Sequence, residues 1–368
     1  MIKRIAINLD VRSYSVHVEN GALTHAGKII RKIISSKKNM VLSVPCVFNK
    51  YGKKIGKNFQ RVGIDFRTIL IPDGEDQKTE RSLFFILKKM AQHGLQRDST
   101  LITLGGGVVG DLGGLAASLY MRGINFIQCP TTLLAQVDAG IGGKTAIDFV
   151  GIKNLIGTFY QPKLVLIDPL VLKSLDRRQY RTGLAEIIKY GVIQDEKLFK
   201  KIENQTENIL RREPKILISL ISRSCEIKAK IISEDERENG KRAWLNYGHT
   251  LGHALESYFK YKTLTHGEAI SYGMLFAAQL SRRMNMCSEE VVQRQSQLLR
   301  KIGLFRKLPR FNSEMVFKKM FLDKKSRRGQ IQFILTRKIG LVTIQKNIPQ
   351  SIILSALKQF QIDASGLF

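Results

Sequence analysis

The sequence has no long apolar run. None approaches the roughly 18 residues that a helix needs to cross a membrane. The first ten residues, MIKRIAINLD, alternate apolar and polar side chains like a strand and do not resemble a secretory signal. We therefore expect a protein without a membrane partner.

Cysteine is scarce and unpaired in the sequence. The four cysteines, Cys46, Cys129, Cys225 and Cys287, are scattered along the chain and form no CxxC motif. This spacing argues against a disulfide framework and against a metal site built from thiolates. It suits a reducing compartment, so we expect a cytoplasmic protein.

Acidic residues are few compared with basic ones. The chain has 31 of them against 60 lysines and arginines, which gives a formal net charge of +29. Such an excess makes nucleic acid the first partner to consider. However, the basic residues are spread along the whole chain, and no aromatic-interleaved stripe or recognisable nucleic-acid-binding module accompanies them. We expect a distributed basic surface with an anionic small-molecule substrate, and no nucleic-acid partner.

The chain, at 368 residues, exceeds one hydrophobic core and should divide into two domains. Up to about residue 176, strand-like apolar stretches alternate with helical patterns, which predicts a parallel sheet covered on both faces. Beyond that point apolar residues recur every three to four positions, as in helices. We expect an α/β domain in residues 1–176 and an all-α domain in residues 177–368, with a short strand-like patch near the end.

Histidine is concentrated in one stretch, although the chain has only six. His249, His253 and His266 lie within RAWLNYGHTLGHALESYFKYKTLTHGEA, and imidazole is the commonest side-chain metal ligand. His249 and His253 are four residues apart, so a helix would place both on one face. The residue order does not match HExxH, which excludes the zincin protease motif. The pattern predicts a metal site; the alternative is a hydrogen-bonded histidine pair packed near an unrelated third.

Glu186 and Lys189, three residues apart in GLAEIIKYG, would share one side of a helix. Glu186 could complete a site of one carboxylate and two imidazoles with an open coordination position, the pattern of catalytic zinc. The alternative is an ordinary surface ion pair, although the flanking apolar residues make a surface position unusual.

Gly105, Gly107 and Gly110 form GxGxxG directly after the strand-like STLITL and before a helical pattern. Such a turn presents backbone N–H groups to a pyrophosphate at a helix start. The acidic residue expected after the next strand is missing, because PTT stands there instead. Glu75 and Lys78, at another strand end, are candidates for holding the ribose. The alternative is a tight strand–helix crossing in which glycine serves only packing.

Other polar residues lie in two glycine-rich segments, TTLLAQVDAGIGGKTAID and GIKNLIGTFYQP, which we interpret as turns. Their amines, amide and carboxylate could hold a phosphate or sugar hydroxyls, and the residues are Asp138, Lys144, Lys153 and Asn154. Further candidates, each of which alone would more often be a surface residue in so basic a chain, are Lys228, Arg242, Asn246 and Lys324.

Several of these motifs together resemble the 3-dehydroquinate synthase family of sugar phosphate cyclases, from the shikimate pathway. They are LGGGVVGDLGG, PTTLLAQVDAGIGGKT, GLAEIIKYG, LNYGHTLGHALE, HGEA and LDKK, and their order and spacing match from about residue 65 to 330. The resemblance implies an N-terminal Rossmann-like NAD-binding domain and a C-terminal helical metal-binding domain. It also implies zinc or cobalt in an active site in the cleft between them, and a homodimer.

The resemblance assigns roles position by position. The implied metal ligands are Glu186, His249 and His266, so that His253 becomes a catalytic neighbour of the metal instead of a ligand. The implied cofactor contacts are Asp73, Gly74, Glu75, Asp76, Gln77, Lys78, Gly107, Val108, Val109, Gly110, Asp111, Thr131, Thr132, Lys144, Lys153, Val171, Leu172, Lys173 and Ser174. The implied catalytic residues are Lys144, Lys189, Lys228, Arg242, Asn246 and His253. The implied substrate contacts are Arg122, Asp138, Asn154 and Lys324, of which Arg122 would reach the neighbouring phosphate across the dimer.

The sequence departs from the family at SVPCV, residues 43–47. Family members commonly carry Asp or Asn there to meet the adenosine ribose, and Val44 and Cys46 cannot replace that group. The resemblance therefore leaves NAD to be held less tightly, or by backbone and water.

The implied reaction converts 3-deoxy-D-arabino-heptulosonate 7-phosphate to 3-dehydroquinate and phosphate, the second step of chorismate and aromatic amino acid biosynthesis. It proceeds by transient NAD oxidation at C5, phosphate elimination, re-reduction, ring opening and aldol cyclisation. Two other enzymes would share much of the pattern: a metal-dependent polyol dehydrogenase of the glycerol type, and another sugar phosphate cyclase. A basic nucleic-acid-binding protein is the alternative from a different class.

Overall fold

The computed structural model describes residues 2–34, 36, 38–237, 240–322 and 331–364. The chain divides into two compact units, Met1–Leu175 with Pro214–Glu236, and Asp176–Glu213 with Arg237–Phe368. The first break lies one residue from the boundary expected from the sequence. The segment 214–236, which we expected in the helical domain, belongs instead to the first unit.

The strands are β1 (Ile2–Ile7), β2 (Tyr14–Glu19), β3 (Asn39–Ser43), β4 (Arg67–Leu70), β5 (Thr100–Gly105), β6 (Asn125–Pro130), β7 (Lys144–Phe149), β8 (Ile152–Phe159), β9 (Leu164–Ile167), β10 (Phe333–Lys338) and β11 (Leu341–Gln345). The helices are α1 (Ala26–Ile30), α2 (Pro45–Val47), α3 (Lys53–Arg61), α4 (Glu80–Gln92), α5 (Gly107–Leu119), α6 (Arg177–Gln194), α7 (Glu196–Asn204), α8 (Thr206–Leu210), α9 (Pro214–Glu234), α10 (His249–Tyr258), α11 (His266–Arg283), α12 (Glu289–Ile302), α13 (Ser313–Leu322) and α14 (Gln350–Ala364). No helix among the described residues is long and apolar enough to cross a bilayer.

A seven-stranded sheet forms the centre of the first unit, in the order β1-β2-β9-β6-β5-β3-β4. Only the β1–β2 pair in this sheet is antiparallel. Successive side chains of a strand point to opposite faces, so Met40 and Leu42 join one apolar cluster while Val41 joins the other. The predicted parallel sheet with both faces covered is confirmed.

The strand order reverses direction at β3. The chain passes from β3 outward to β4 and then returns to place β5 on the other side of β3. In open α/β sheets, ligands bind outside the carboxyl ends of the strands at such a switch point. The GxGxxG turn begins at the carboxyl end of β5 and therefore lies at this point.

The strand β3 ends at Ser43, because Pro45 begins α2 and proline fits the first turn of a helix. The segments around Lys144 and Lys153, which we interpreted as turns, are mainly strands. They form the antiparallel hairpin β7–β8, which is a separate two-stranded sheet.

Helix α9 joins the first unit because it packs against β1 and β2. Asn8 donates its backbone N–H to Ser233 Oγ at 3.2 Å, which fixes the end of the helix beside β1. The apolar side of α9 could be predicted from the spacing of its residues, but the strands that this side contacts could not.

Helix α3 carries part of the positive charge of the first unit. Helix α3 exposes Lys53, Lys54, Lys57 and Arg61. Between residues 28 and 67 the only acidic residue is Asp65. One helix surface thus carries a basic stripe.

The second unit consists mainly of helices, with the hairpin β10–β11 near its end, as predicted. Glycines allow its helices to approach closely. A Cβ on Gly273 of α11 would lie 1.8 Å from the backbone oxygen of Gly248, at the start of α10. A Cβ on Gly267 would lie 2.4 Å from Thr182 Cα on α6. These contacts hold α6, α10 and α11 together.

We predict that Gly273→Ala destabilises the protein by about 1–3 kcal/mol or more, because the added methyl group meets backbone that cannot rotate away. Thermal unfolding measures the effect. Gly107→Ala is the matched control: it is also helical, but its Cβ would make only an ordinary 3.5 Å contact with Ala139. Equal melting temperatures for the two variants would contradict the close helix crossing.

Candidate active site

Four of the segments expected to contact the cofactor follow carboxyl ends of strands in the large sheet. Residues 73–78 follow β4, residues 107–111 begin α5 after β5, residues 131–132 follow β6 and residues 171–174 follow β9. Because these strands are parallel, their carboxyl ends meet at one edge of the sheet, where ligands bind in this architecture. The structure therefore brings the four loops to one side of the first unit.

The turn between β5 and α5 leaves little space for side chains. A Cβ on Gly105 would lie 2.6 Å from Val109, and one on Gly106 would lie 3.1 Å from Thr132. Gly106 precedes α5 and no side chain caps it, and the first N–H groups of a helix have no acceptor within the helix itself. Backbone N–H groups at a helix start favour phosphate oxygens, so the turn fits a pyrophosphate.

Lys78 links three segments of the first unit. Its ammonium group lies 2.5 Å from Asp111 Oδ2 on α5 and donates a hydrogen bond to Asn154 Oδ1 on the hairpin. Its carbonyl oxygen accepts the backbone N–H of Asp148 at 2.8 Å. Burial alone would lower the pKa of Lys78, but the negative charges of Asp111 and Glu75 outweigh burial and raise that pKa. Lys78 is therefore charged, and it connects the 73–78 loop to α5 and to the hairpin.

The departure at residues 43–47 has a structural consequence. The thiol of Cys46 donates to Asp73 Oδ2 at 3.3 Å. Burial and the neighbouring Asp73 raise the pKa of this thiol, so it remains a donor. A carboxylate therefore lies beside the turn after β3, but it belongs to Asp73 in the loop after β4.

The residues expected to hold phosphate lie on the hairpin and near it. Lys144 is exposed at the start of β7, and Lys153 lies 3.1 Å from Glu75 Oε1. Asn154 has a backbone φ of +52°, in the left-handed region, and its N–H donates to Asp148 at 2.9 Å. Lys153 and Asn154 of the hairpin therefore lie beside the 73–78 loop, through Glu75 and Lys78 respectively.

Lys228 and Asp138 form an ion pair at 2.5 Å, and Lys228 also donates to the Asp138 carbonyl oxygen at 2.6 Å. Lys228 is on α9, so its pairing with Asp138 occurs within the first unit.

Arg122 is exposed and has a φ of +63°, in a tight turn after α5.

Glu186, His249 and His266 converge in the second unit. Their ligand atoms lie within 4.8 Å of one another. Glu186 Oε1 is 3.8 Å from His249 Nε2 and 3.5 Å from His266 Nε2. Glu186 lies one turn after Thr182 on α6, and His266 directly precedes Gly267, so the close approach at Gly267 brings the two together. The set of one carboxylate and two imidazoles fits a divalent ion such as zinc.

The electrostatics of this cluster also favour a cation. Burial lowers the pKa of His266, but the carboxylates of Glu256 and Glu186 outweigh burial and raise that pKa to about 10. The two carboxylates therefore stabilise positive charge at this point, whether it comes from a proton or from a metal ion.

A second group of candidate ligands overlaps the first. His253, Glu256 and His266 also have ligand atoms within 4.8 Å of one another. The rings of His253 and His249 have centroids 5.1 Å apart, on one face of α10 as the four-residue spacing predicts. Glu256 was not identified from the sequence, since a helix glutamate three residues after a histidine has no distinctive pattern.

Two cations expected at the site are buried in the second unit. Lys189 is 1% exposed and pairs with Glu186, so this pair is not the surface ion pair considered as an alternative. Arg242 is 2% exposed and lies with Asn246 on the 3-10 helix that precedes α10. Lys324 lies outside the described residues.

Comparison with known proteins identifies the family. The family model for the 3-dehydroquinate synthase N-terminal region matches residues 68–182, and the model for its C-terminal region matches residues 183–326. The chain belongs to the 3-dehydroquinate synthase family. The resemblance stated from the motifs is confirmed, and with it the expectation of an enzyme.

Similar proteins cover nearly the whole chain. A 3-dehydroquinate synthase from Rippkaea orientalis is 42% identical over 96% of this chain and 97% of its own length. Another from Thermodesulfovibrio yellowstonii is 44% identical over 94% of this chain and 97% of its own.

Solved structures of related enzymes share the fold. A 2-epi-5-epi-valiolone synthase from Streptomyces hygroscopicus, with NAD+ and Zn2+ bound, aligns with a TM-score of 0.88 and 27% identity over 95% of this chain and 97% of its own. A 2-deoxy-scyllo-inosose synthase, complexed with carbaglucose-6-phosphate, NAD+ and Co2+, aligns with a TM-score of 0.87 and 26% identity over 98% of this chain and 100% of its own. The glycerol dehydrogenase of Schizosaccharomyces pombe shares the fold alone. It is 18% identical and aligns with a TM-score of 0.68 over 95% of this chain and 89% of its own.

We predict that His266→Ala strips the divalent metal from the protein, because two ligands cannot hold the ion as three do. Elemental analysis after dialysis against metal-free buffer measures the metal content of the protein. His93→Ala, a change at an exposed histidine outside the cluster, should leave it unchanged. Full occupancy in His266→Ala would show that this histidine is not a ligand.

We predict that Lys78→Met lowers the free energy of unfolding by about 3 kcal/mol, since it leaves Asp111 without its buried counter-charge. Urea unfolding followed by circular dichroism gives the value. Lys88→Met, at an exposed position on α4, is the control and should change stability little. A loss in Lys78→Met no larger than in the control would contradict the linking role of Lys78.

Proposed function

We propose that the protein converts 3-deoxy-D-arabino-heptulosonate 7-phosphate to 3-dehydroquinate and inorganic phosphate. The observation that carries the proposal is the convergence of Glu186, His249 and His266 in a chain of the 3-dehydroquinate synthase family. Homologues of that name at 42–44% identity over nearly the full length support it.

NAD is the proposed cofactor, held by the loops at the carboxyl ends of β4, β5, β6 and β9. The uncapped start of α5 suits its pyrophosphate, and the carboxylate of Asp73 beside Cys46 suits a ribose hydroxyl. When bound, NAD would supply reversible hydride transfer at C5 of the substrate. The NAD+ in both related cyclase structures supports this assignment.

The proposed metal ligands are Glu186, His249 and His266, and zinc or cobalt suits this donor set. A bound divalent ion would supply Lewis-acid polarisation of the substrate hydroxyls. The Zn2+ and Co2+ of the two related cyclases support both choices.

The chain's own residues bind and orient the rest of the substrate. Lys189 and Arg242 are buried cations, so they can neutralise the substrate carboxylate without competition from water. Their positions are set before substrate arrives: Lys189 by its ion pair with Glu186, and Arg242 by burial. His253 and Asn246 supply further hydrogen-bonding groups in the same unit.

Phosphate binding is assigned to Lys144, Lys153 and Asn154, and the same unit contains the Asp138–Lys228 pair. These amines stabilise the leaving phosphate dianion. The phosphate itself can accept the proton that is lost during elimination, so the site needs few acidic side chains. In agreement with this, none of the residues assigned as catalytic is a carboxylate.

Arg122 and the oligomeric state belong to the same proposal. We assign a homodimer in which Arg122 contacts the substrate phosphate of the partner subunit, and its exposed position on a left-handed turn suits such a reach. The four free cysteines suit a reducing compartment, and we assign the reaction to the cytoplasm.

Two alternative enzymes are separated from this proposal by one assay. A polyol dehydrogenase would release NADH, whereas the proposed reaction returns its hydride, because substrate and product have the same oxidation level. Another sugar phosphate cyclase would act on a different sugar phosphate and leave the heptulosonate phosphate unchanged.

We predict phosphate release in many-fold excess over NAD when the heptulosonate phosphate is supplied with sub-stoichiometric NAD. Inorganic phosphate and NADH absorbance are followed together, and free NADH should stay flat. NADH that rises in step with product would favour the dehydrogenase. No phosphate release from this substrate by the metal-loaded protein would refute the proposed activity.

A further inference from the structure

Glu256 contacts the side of His266 that faces away from Glu186. Glu256 is 5% exposed, and its Oε2 lies 3.3 Å from His266 Nδ1. The other ring nitrogen of His266, Nε2, lies 3.5 Å from Glu186 Oε1. The imidazole therefore stands between two carboxylates, one at each nitrogen.

We propose that Glu256 is a positioning residue that holds His266 with its proton on Nδ1 and its lone pair on Nε2. The inference rests on the proposed metal site formed by Glu186, His249 and His266. A neutral imidazole has one N–H and one lone pair, and an ionised carboxylate can only accept. A hydrogen bond to Glu256 therefore fixes the tautomer and directs Nε2 to the metal position.

The neighbouring histidine shows the same arrangement with a different acceptor. His249 Nδ1 lies 3.1 Å from the carbonyl oxygen of Tyr247, while its Nε2 faces Glu186 at 3.8 Å. Both imidazoles thus point Nε2 at Glu186 and Nδ1 at an acceptor. Metal-bound histidines usually donate their second N–H in this way, and the acceptor orients the ring and raises its basicity.

Glu256 differs from the Tyr247 carbonyl because it carries a charge. A carboxylate increases the electron density on the imidazole more than a neutral carbonyl does. His266 begins α11, and the glutamate that orients it is on α10, so the contact also ties the ligand to a second helix.

A competing assignment makes Glu256 itself a ligand. His253, Glu256 and His266 could hold an ion directly, since their ligand atoms lie within 4.8 Å of one another. In that case removal of Glu256 would abolish binding, and removal of His249 would spare it. The positioning role instead predicts that removal of His249 abolishes metal binding and that removal of Glu256 only weakens it.

The test is zinc affinity, measured by competition with a chelating dye, for the wild type, Glu256→Gln and His249→Ala. Glu256→Gln keeps the size of the side chain and removes the charge. We expect it to bind one zinc ion per chain with an affinity about 10- to 100-fold weaker than that of the wild type. His249→Ala should lose binding altogether, and Glu290→Gln, at an exposed helix position, should match the wild type.

A spectroscopic measurement on the wild type keeps the test independent of how the variant folds. In zinc-loaded protein labelled with 15N-histidine, the signal of His266 should show a protonated Nδ1 and a metal-bound Nε2. A metal-bound Nδ1 would overturn the proposal. Circular dichroism of the metal-free proteins should show the same fold for Glu256→Gln and wild type.

The outcomes separate the two proposals. Zinc binding by wild type with unchanged affinity in Glu256→Gln would overturn the positioning role and leave the metal site intact. Loss of zinc in Glu256→Gln with retention in His249→Ala would overturn it in favour of the second ligand group. Failure of the wild type to bind zinc or cobalt would overturn both the metal site and the positioning role.

Discussion

Glu186 has a carboxylate with no solvent exposure, and a buried negative charge must be neutralised from within the protein. Lys189 supplies one positive partner, and the Nε2 atoms of His249 and His266 point at the same carboxylate. The three helices α6, α10 and α11 meet closely enough for this only because glycines stand at their contacts. A methyl group at Gly273 or Gly267 would lie within 2.4 Å or less of backbone atoms. Packing and the proposed metal chemistry therefore depend on the same helix crossings.

The first unit also contains a buried charge, in this case a positive one. Lys78 is a buried cation, and Asp111 and Asn154 satisfy it from an adjacent helix and from the β7–β8 hairpin. Three segments that are distant in the sequence are fixed relative to one another by this one ammonium group. In the proposed function, these same segments hold the cofactor and the phosphate. In both units a buried charge with specific partners orients the groups that act on substrate.

The sequence predicted those features that arise from local spacing. Strand–helix alternation indicated the parallel sheet, and the four-residue spacing of His249 and His253 placed both on one helix face. Features that depend on tertiary partners were not predicted. The exposed strand β8 has no regular alternation of buried residues, so its pairing with β7 could not be read from the sequence. Helix α9 is amphipathic, but its pattern does not reveal that it packs on β1 and β2. Glu256 was not predicted because its role depends on a 3.3 Å contact with His266, which lies ten residues later at the start of another helix.

The most direct measurement of the central claim is the position of the ion by anomalous diffraction at the zinc edge from zinc-loaded crystals. The account predicts one peak within about 2.0–2.2 Å of a Glu186 oxygen and of Nε2 of His249 and His266. A peak coordinated by His253, Glu256 and His266, with Glu186 outside ligand distance, would contradict it.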